Sequence, residues 1–179
     1  GRERAVDCHL LFRRSIFLPS APASARLSIA ASDQYRLFVN GRHVGDGPCR
    51  SDLPKAYVDT CECGEILRRG ENVVSVLAHS TGVPQHGRNL SPGCLILSIV
   101  CRLPSGRTVR TGTDGTWRVI EAPQYGKPAP RRFFAVGFNE RYLAGNEPAG
   151  WTLPGFDDST WQNASVVDSP STALLPRPI

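Results

Sequence analysis

Residues 31–48 read ASDQYRLFVNGRHVGDGP, and the expected fold follows from them. From Asp33 to Val39 polar and apolar side chains nearly alternate, which places Tyr35, Leu37 and Val39 on one side of a pleated strand and Gln34 and Arg36 on the other. Such a strand buries one face and leaves the other wet. Asn40-Gly41 follows at once, and this pair suits a type I′ turn, which needs positive φ at both central positions. A hairpin is predicted, with a short return strand over 42–44 that Gly45-Asp46-Gly47-Pro48 brings to an end.

Working outward, residues 8–17 read as a strand stopped by Pro19 and Pro22. Residues 26–30 are a second strand, with Leu27 and Ile29 inward, expected to pair near the Asp33 strand. Residues 49–54 are loop, 57–60 a brief extended piece, and 65–70 a single helical turn closed by Gly70. The β-branched run at 73–78 marks a strand buried on both faces. Residues 79–93 form the longest irregular connection, and a loop of that length in a compact domain usually carries function. Further strands are predicted over 94–103, 107–111 and 117–120, then a loop over 124–130 and one or two last strands over 132–138. Many short strands, frequent Gly and Pro and no long helix-period segment give an all-β antiparallel β-sandwich or jelly roll.

The chain of 179 residues fits one domain, placed at 1–168, with 169–179 as a connector toward a following domain. No Met occurs, so a processed product or a piece of a larger protein is expected. The longest strongly apolar run, 95–101, is too short to span a bilayer, and the first four residues do not lead into the apolar core of a secretory leader. The compartment stays open, with a bacterial cytoplasm favoured over secretion. Lys and Arg total 21 against 16 Asp and Glu, a net charge of +5. The basic residues are scattered, with only Arg13-Arg14, Arg68-Arg69 and Arg131-Arg132 adjacent, so no nucleic-acid or membrane partner is expected. Of the six cysteines, Cys61 and Cys63 sit too close for an ordinary bridge. Cys94 and Cys101 lie about 23 Å apart along one strand, so buried free thiols are expected. The cysteine and histidine spacing does not match a zinc motif.

Four stretches carry a resemblance: YRLFVNGRHVGDGP from Tyr35, RRGENVVSVLAH from Arg68, TDGTWRV from Thr113, and GWTLPGFDDSTW from Gly150. In that order they resemble the N-terminal galactose-binding-like β-sandwich domain of bacterial α-L-rhamnosidase-like glycoside hydrolases. The resemblance implies a non-catalytic accessory domain. In the parent protein a downstream (α/α)-barrel would hydrolyse terminal α-L-rhamnose. Residues 138–144, FNERYLA, depart from the family wording of acidic residue, Tyr, Asp, Ala, Arg: Leu143 stands where the Asp would be and Gly145 where the Arg would be. A ligand contact that needs that Asp does not carry over.

Asp157-Asp158 is the only adjacent acidic pair, and an inverting glycosidase needs two carboxylates about 6.5–9.5 Å apart. In GFDDSTW the pair reads better as an Asx-type turn or cap ahead of Trp161. No Ser-nucleophile elbow, Walker loop or His-Glu-x-x-His occurs, so this chain is not expected to be an enzyme. Sugar contact is the live chemistry. A sandwich holds a saccharide with an aromatic face and hydrogen-bonding amides, carboxylates or guanidinium groups. The candidates are His79, Gln85, His86, Arg88 and Asn89 in the long connection, and Asn139, Glu140, Arg141 and Tyr142 in the last quarter. The expected partners are a carbohydrate, either L-rhamnose or a plant or bacterial polysaccharide, and the catalytic domain of the same protein. By resemblance Ca²⁺ could assist, although acidic ligands for it are few here. The alternatives are a structural spacer or a stand-alone glycosidase. Trp117, Trp151 and Trp161 are expected in the core or at a domain interface.

Overall fold

The computed structural model describes residues 6–49, 55–84, 93–127, 129–131, 133, 137–167 and 173–177. Along them run β1 (Cys8–Leu18), β2 (Ser24–Ala31), β3 (Gln34–Val39), β4 (Arg42–Gly47), β5 (Lys55–Glu62) and β6 (Gly70–Ser80). There follow β7 (Leu95–Arg102), β8 (Thr108–Gly112), β9 (Arg118–Glu121), β10 (Gln162–Asn163) and β11 (Ala173–Pro176). One sheet has the order β10-β9-β1-β6-β3-β4 and the other β11-β5-β2-β7-β8. Neighbours are antiparallel except β11, which runs parallel to β5. The molecule is a β-sandwich, as predicted. Part of the stretch read as a connector, Ala173–Pro176, lies as an edge strand of the second sheet.

The hairpin has its type I′ geometry, with φ of 50° at Asn40 and 81° at Gly41. Its return strand is longer than predicted. Leu37 pairs with Gly45 while Phe38 pairs with His43, so Val44 is an extra residue that bulges the strand, and pairing resumes as far as Gly47. β4 is the sheet's edge, where glycines disturb the ladder least.

The expected pairing of the second strand with the Asp33 strand does not form: β2 pairs with β5 and β7, in the opposite sheet from β3. Ser32 and Asp33 turn the chain from one sheet to the other. The Ser32 amide donates to the Cys94 carbonyl at 2.9 Å, while Asp33 Oδ2 accepts from the Thr81 amide at 2.8 Å and its hydroxyl at 3.0 Å. The helical turn expected over 65–70 is a plain turn. Asn72 bonds the amide and carbonyl of Arg68 and the carbonyl of Gly70, committing the groups a helix would use, and Gly70 has φ +92°. The strand expected over 132–138 partly lies outside the described residues. Those described give only the isolated bridges Arg131 to Phe138 and Tyr125 to Tyr142.

Side-chain alternation divides the six-stranded sheet into two buried faces. Phe12, Ile16 and Leu18 of β1 and Val74 and Val76 of β6 meet Leu27, Ile29, Leu97 and Ile99 of the other sheet. The opposite face carries Leu11, Leu77 and Phe38, and it is covered by Trp151, Trp161 and Phe156 from the chain after β9. This makes a third, irregular layer, and it explains why β6 is buried on both faces from Asn72 to Val76. All three tryptophans are buried, as expected.

All six cysteines are free thiols. Burial, with Cys61 and Cys101 beside it, pushes the Cys63 thiol up to about 12, and burial also raises Cys101. Because the thiolate is the nucleophile, a disulfide reagent at about pH 8 is expected to leave Cys63 and Cys101 unreacted in the native chain and to modify all six after denaturation. Rapid native reaction of both would contradict this packing.

Candidate functional site

On the covered face, β1, β6 and β3 lie side by side, and their register sets His9, His79 and Gln34 in one row. The period of two does this: Asp7, His9, Leu11 and Arg13 share a side, as do Leu77 and His79, and Gln34, Arg36 and Phe38. Asp7 precedes β1 with φ 51° and bonds its amide to the Thr81 carbonyl at 3.1 Å. Asp7 Oδ1 then lies 2.9 Å from His79 Nε2 and 4.0 Å from His9 Nδ1, while His79 Nδ1 lies 3.1 Å from Gln34 Oε1. The His9 ring is sandwiched, 3.9 Å from His79 at 7° on one side and 3.9 Å from Tyr125 at 4° on the other. Burial, helped by His79 and Lys127, pushes His9 down to about 3, so it is neutral at physiological pH. Its Nδ1 has no hydrogen-bond partner.

Tyr125 belongs to an irregular pair of arms laid over this row. Leu143 donates to the Gln124 carbonyl at 2.7 Å, Gly126 to Arg141 at 2.9 Å, and Asn139 to Pro130 at 3.1 Å. A Cβ at Gly126 would come to 3.0 Å from Arg141 Cδ, so any larger residue would need the arginine side chain to give way slightly. Tyr142 meets Tyr125 edge to face at 5.4 Å. Its hydroxyl donates to Glu147, which also accepts from Trp151 Nε1 at 3.0 Å. The Glu147 bond pushes the Tyr142 phenol up to about 12, so it remains a donor. The Arg36 guanidinium, bonded to Asp46 at 3.1 Å, is close enough to act electrostatically on both tyrosines.

Of the residues singled out in the sequence, the structure brings His79 and Tyr142 together through His9 and Tyr125. Tyr142 is 47% exposed and shares its arm with the exposed Asn139, Glu140 and Arg141. The His79 side chain is only 16% exposed and sits beneath this surface. Gln85, His86, Arg88 and Asn89 lie outside the described residues. Asp7, His9, Gln34 and Tyr125 were missed by sequence reasoning; the Asp-x-His spacing at 7–9 was the available signal, since it puts both side chains on one face of a strand. Asp157 Oδ1 accepts from the Ser159 amide at 3.0 Å, the Asx turn predicted, and Asp158 instead pairs with Arg13 at 3.1 Å. Asp7, Asp59, Glu147 and Asp158 each carry structural bonds.

The family profile described as Alpha-L-rhamnosidase N-terminal domain matches residues 20–178. An α-L-rhamnosidase of Formosa agariphila is 26% identical over an alignment of 165 positions that covers 84% of this chain and 17% of that protein. The chain thus spans about a sixth of the length of this curated relative. A crystal structure of a family GH78 rhamnosidase of Bacillus sp. GL1 superposes with a TM-score of 0.84 at 34% identity, over 99% of this chain and 19% of that one. A lectin of Pleurotus ostreatus shares the fold, with a TM-score of 0.65 at 19% identity over 96% of this chain and 41% of that one.

Proposed function

Because the chain belongs to the Alpha-L-rhamnosidase N-terminal domain family, we propose that it serves as a non-catalytic accessory domain that contacts carbohydrate beside a catalytic domain of the same protein. The observation that carries this reading is coverage: 84% of the chain matches only 17% of an α-L-rhamnosidase. The substrate of the whole protein is then a glycoside ending in α-L-rhamnose, hydrolysed outside these residues. The commitment of Asp157 and Asp158 to a turn and to Arg13 supports the absence of a catalytic pair here.

Sugar contact falls to the arm at 139–142. The half-exposed Tyr142 ring offers a face to sugar C–H groups, while Asn139, Glu140 and Arg141 supply an amide, a carboxylate and a guanidinium for hydroxyls. Leu143 and Gly145 give this arm no further charge. Calorimetry of the chain with L-rhamnose, with and without Ca²⁺, tests the reading. Binding heat is expected, and Tyr142→Ala should weaken binding by roughly two- to tenfold, since an aromatic contact contributes roughly 0.5–1.5 kcal/mol. Absence of heat under both conditions would leave the spacer as the function. Turnover of an aryl α-L-rhamnoside by the chain alone would overturn the non-catalytic reading.

A further inference from the structure

The row at Asp7, His9 and His79 has the layout of a metal site built on two strands. Asp7 and His9 stand two residues apart, so both project from the same side of β1 and the turn that leads into it. His79 lies directly opposite His9 on β6. One donor atom from each residue falls within 4.8 Å of the others, the only such His, Cys, Asp and Glu group of three among the described residues. Donors bound to one zinc ion at about 2.0–2.2 Å stand about 3–3.5 Å apart. The Asp7 Oδ1 separations, 2.9 Å to His79 Nε2 and 4.0 Å to His9 Nδ1, lie on either side of that spacing.

One feature beyond the donor set favours a cation, and a second is compatible with it. His9 is 6% exposed, yet its Nδ1 has no hydrogen-bond partner, a state that buried polar atoms in folded proteins rarely keep. His79 lies between two oxygen atoms, Gln34 Oε1 at 3.1 Å and Asp7 Oδ1 at 2.9 Å. A neutral imidazole has a single N–H. In the tautomer that donates Nδ1–H to Gln34, His79 presents its Nε2 lone pair on the Asp7 side, where a cation can use it. Gln34 then takes the outer position that fixes a ligating histidine's tautomer.

We propose that Asp7, His9 and His79 bind a divalent first-row transition-metal ion, with Gln34 orienting His79. Two imidazoles and one carboxylate suit Zn²⁺ and its neighbours; Ca²⁺ takes an all-oxygen shell instead. Coordination has to turn the two parallel rings toward one another, and this clamps β1 to β6 at the end where Asp7 enters the sheet.

The test uses the full chain, stripped with a chelator and then dialysed against Zn²⁺, with bound metal counted by elemental analysis and affinity measured by calorimetry. One equivalent is expected. Asp7→Asn keeps a residue that tolerates positive φ, and His79→Gln keeps a polar side chain. Each should weaken Zn²⁺ by at least about tenfold, the scale that loss of even an outer-shell partner carries. Gln34→Leu should weaken it by about tenfold, and His43→Gln, on β4 outside the group, should change nothing. Visible absorption of the Co²⁺-loaded native chain reports coordination independently of any variant's folding. No retained zinc, no Co²⁺ bands, or affinity unmoved by both Asp7→Asn and His79→Gln would overturn the proposal.

Discussion

Replacing Arg13 with methionine is expected to destabilise the chain by about 3–5 kcal/mol, the range for removing one partner of a buried ion pair. Arg13 is 0% exposed in the middle of β1, and every arm of its guanidinium is engaged. Nε donates to the Trp151 carbonyl at 3.1 Å, Nη2 to the Leu153 carbonyl at 2.7 Å, and Nη1 to Asp158 at 3.1 Å. The Phe156 ring packs against the same group, 5.3 Å from its centre. One side chain therefore ties three residues of the irregular third layer, Trp151, Leu153 and Asp158, to the sheet. Methionine fills comparable volume and supplies no donor, so the two carbonyls lose their partners under the covering segment, each at about 1–3 kcal/mol. Asp158 keeps a 24% exposed side chain and recovers water, which moderates the loss. At about 2–4 °C per kcal/mol for a chain of this size, the melting midpoint should fall by roughly 10 °C. Arg13→Lys keeps the charge and loses the fork, and is expected to restore less than half of the difference. A loss below about 1 kcal/mol for Arg13→Met, under what one typical hydrogen bond contributes, would mean that the third layer does not depend on this anchor.

What was legible in the sequence, and what was not, follows from the range of each signal. The hairpin at Asn40-Gly41 and the Asx turn at Asp157 are local devices, written in adjacent residues, and both form. Alternation told which residues of a strand share a face. It could not say which strand lies next door, so β2 was expected beside β3 when a two-residue corner sends them to different sheets. The same blindness hid the candidate metal site. Asp7 and His9 are neighbours in sequence, but His79 joins them only through the β1–β6 register, which one-residue slippage would have pointed elsewhere. Arg13 stood out in the sequence only as one of an adjacent basic pair, and charged residues are seldom fully buried. Its partners all lie in a stretch with no strand or helix period to betray that it covers a sheet.

Asn72→Leu is expected to remove about 3–4 kcal/mol, from a network that the GEN wording at 70–72 only hinted at. Asn72 is 0% exposed and uses its whole amide: Oδ1 accepts from the Arg68 amide at 2.9 Å and from Asn40 Nδ2 at 2.8 Å, while Nδ2 donates to Arg68 O at 2.7 Å and Gly70 O at 3.1 Å. Asn40 continues the chain of bonds, donating to the Ile66 carbonyl at 2.9 Å and accepting from the Val73 amide at 2.8 Å. The residue that makes the hairpin turn thus also ties that turn to the connection ahead of β6, the central strand of its sheet. Leucine is close in size and leaves one amide N–H, two carbonyls and the Asn40 side chain short of a partner. Asn72→Asp keeps both acceptors but reverses the two donations and buries a charge, so it should be no milder. Asn40→Asp combined with Asn72→Leu should fall short of additivity by about 0.5–3 kcal/mol, since the two side chains share a bond. Urea unfolding is the measurement, read as a lower midpoint at unchanged slope. If Asn72→Leu stayed within about 1 kcal/mol of the parent, the scale of one ordinary hydrogen bond, the network would be ornament to a turn that the backbone holds by itself.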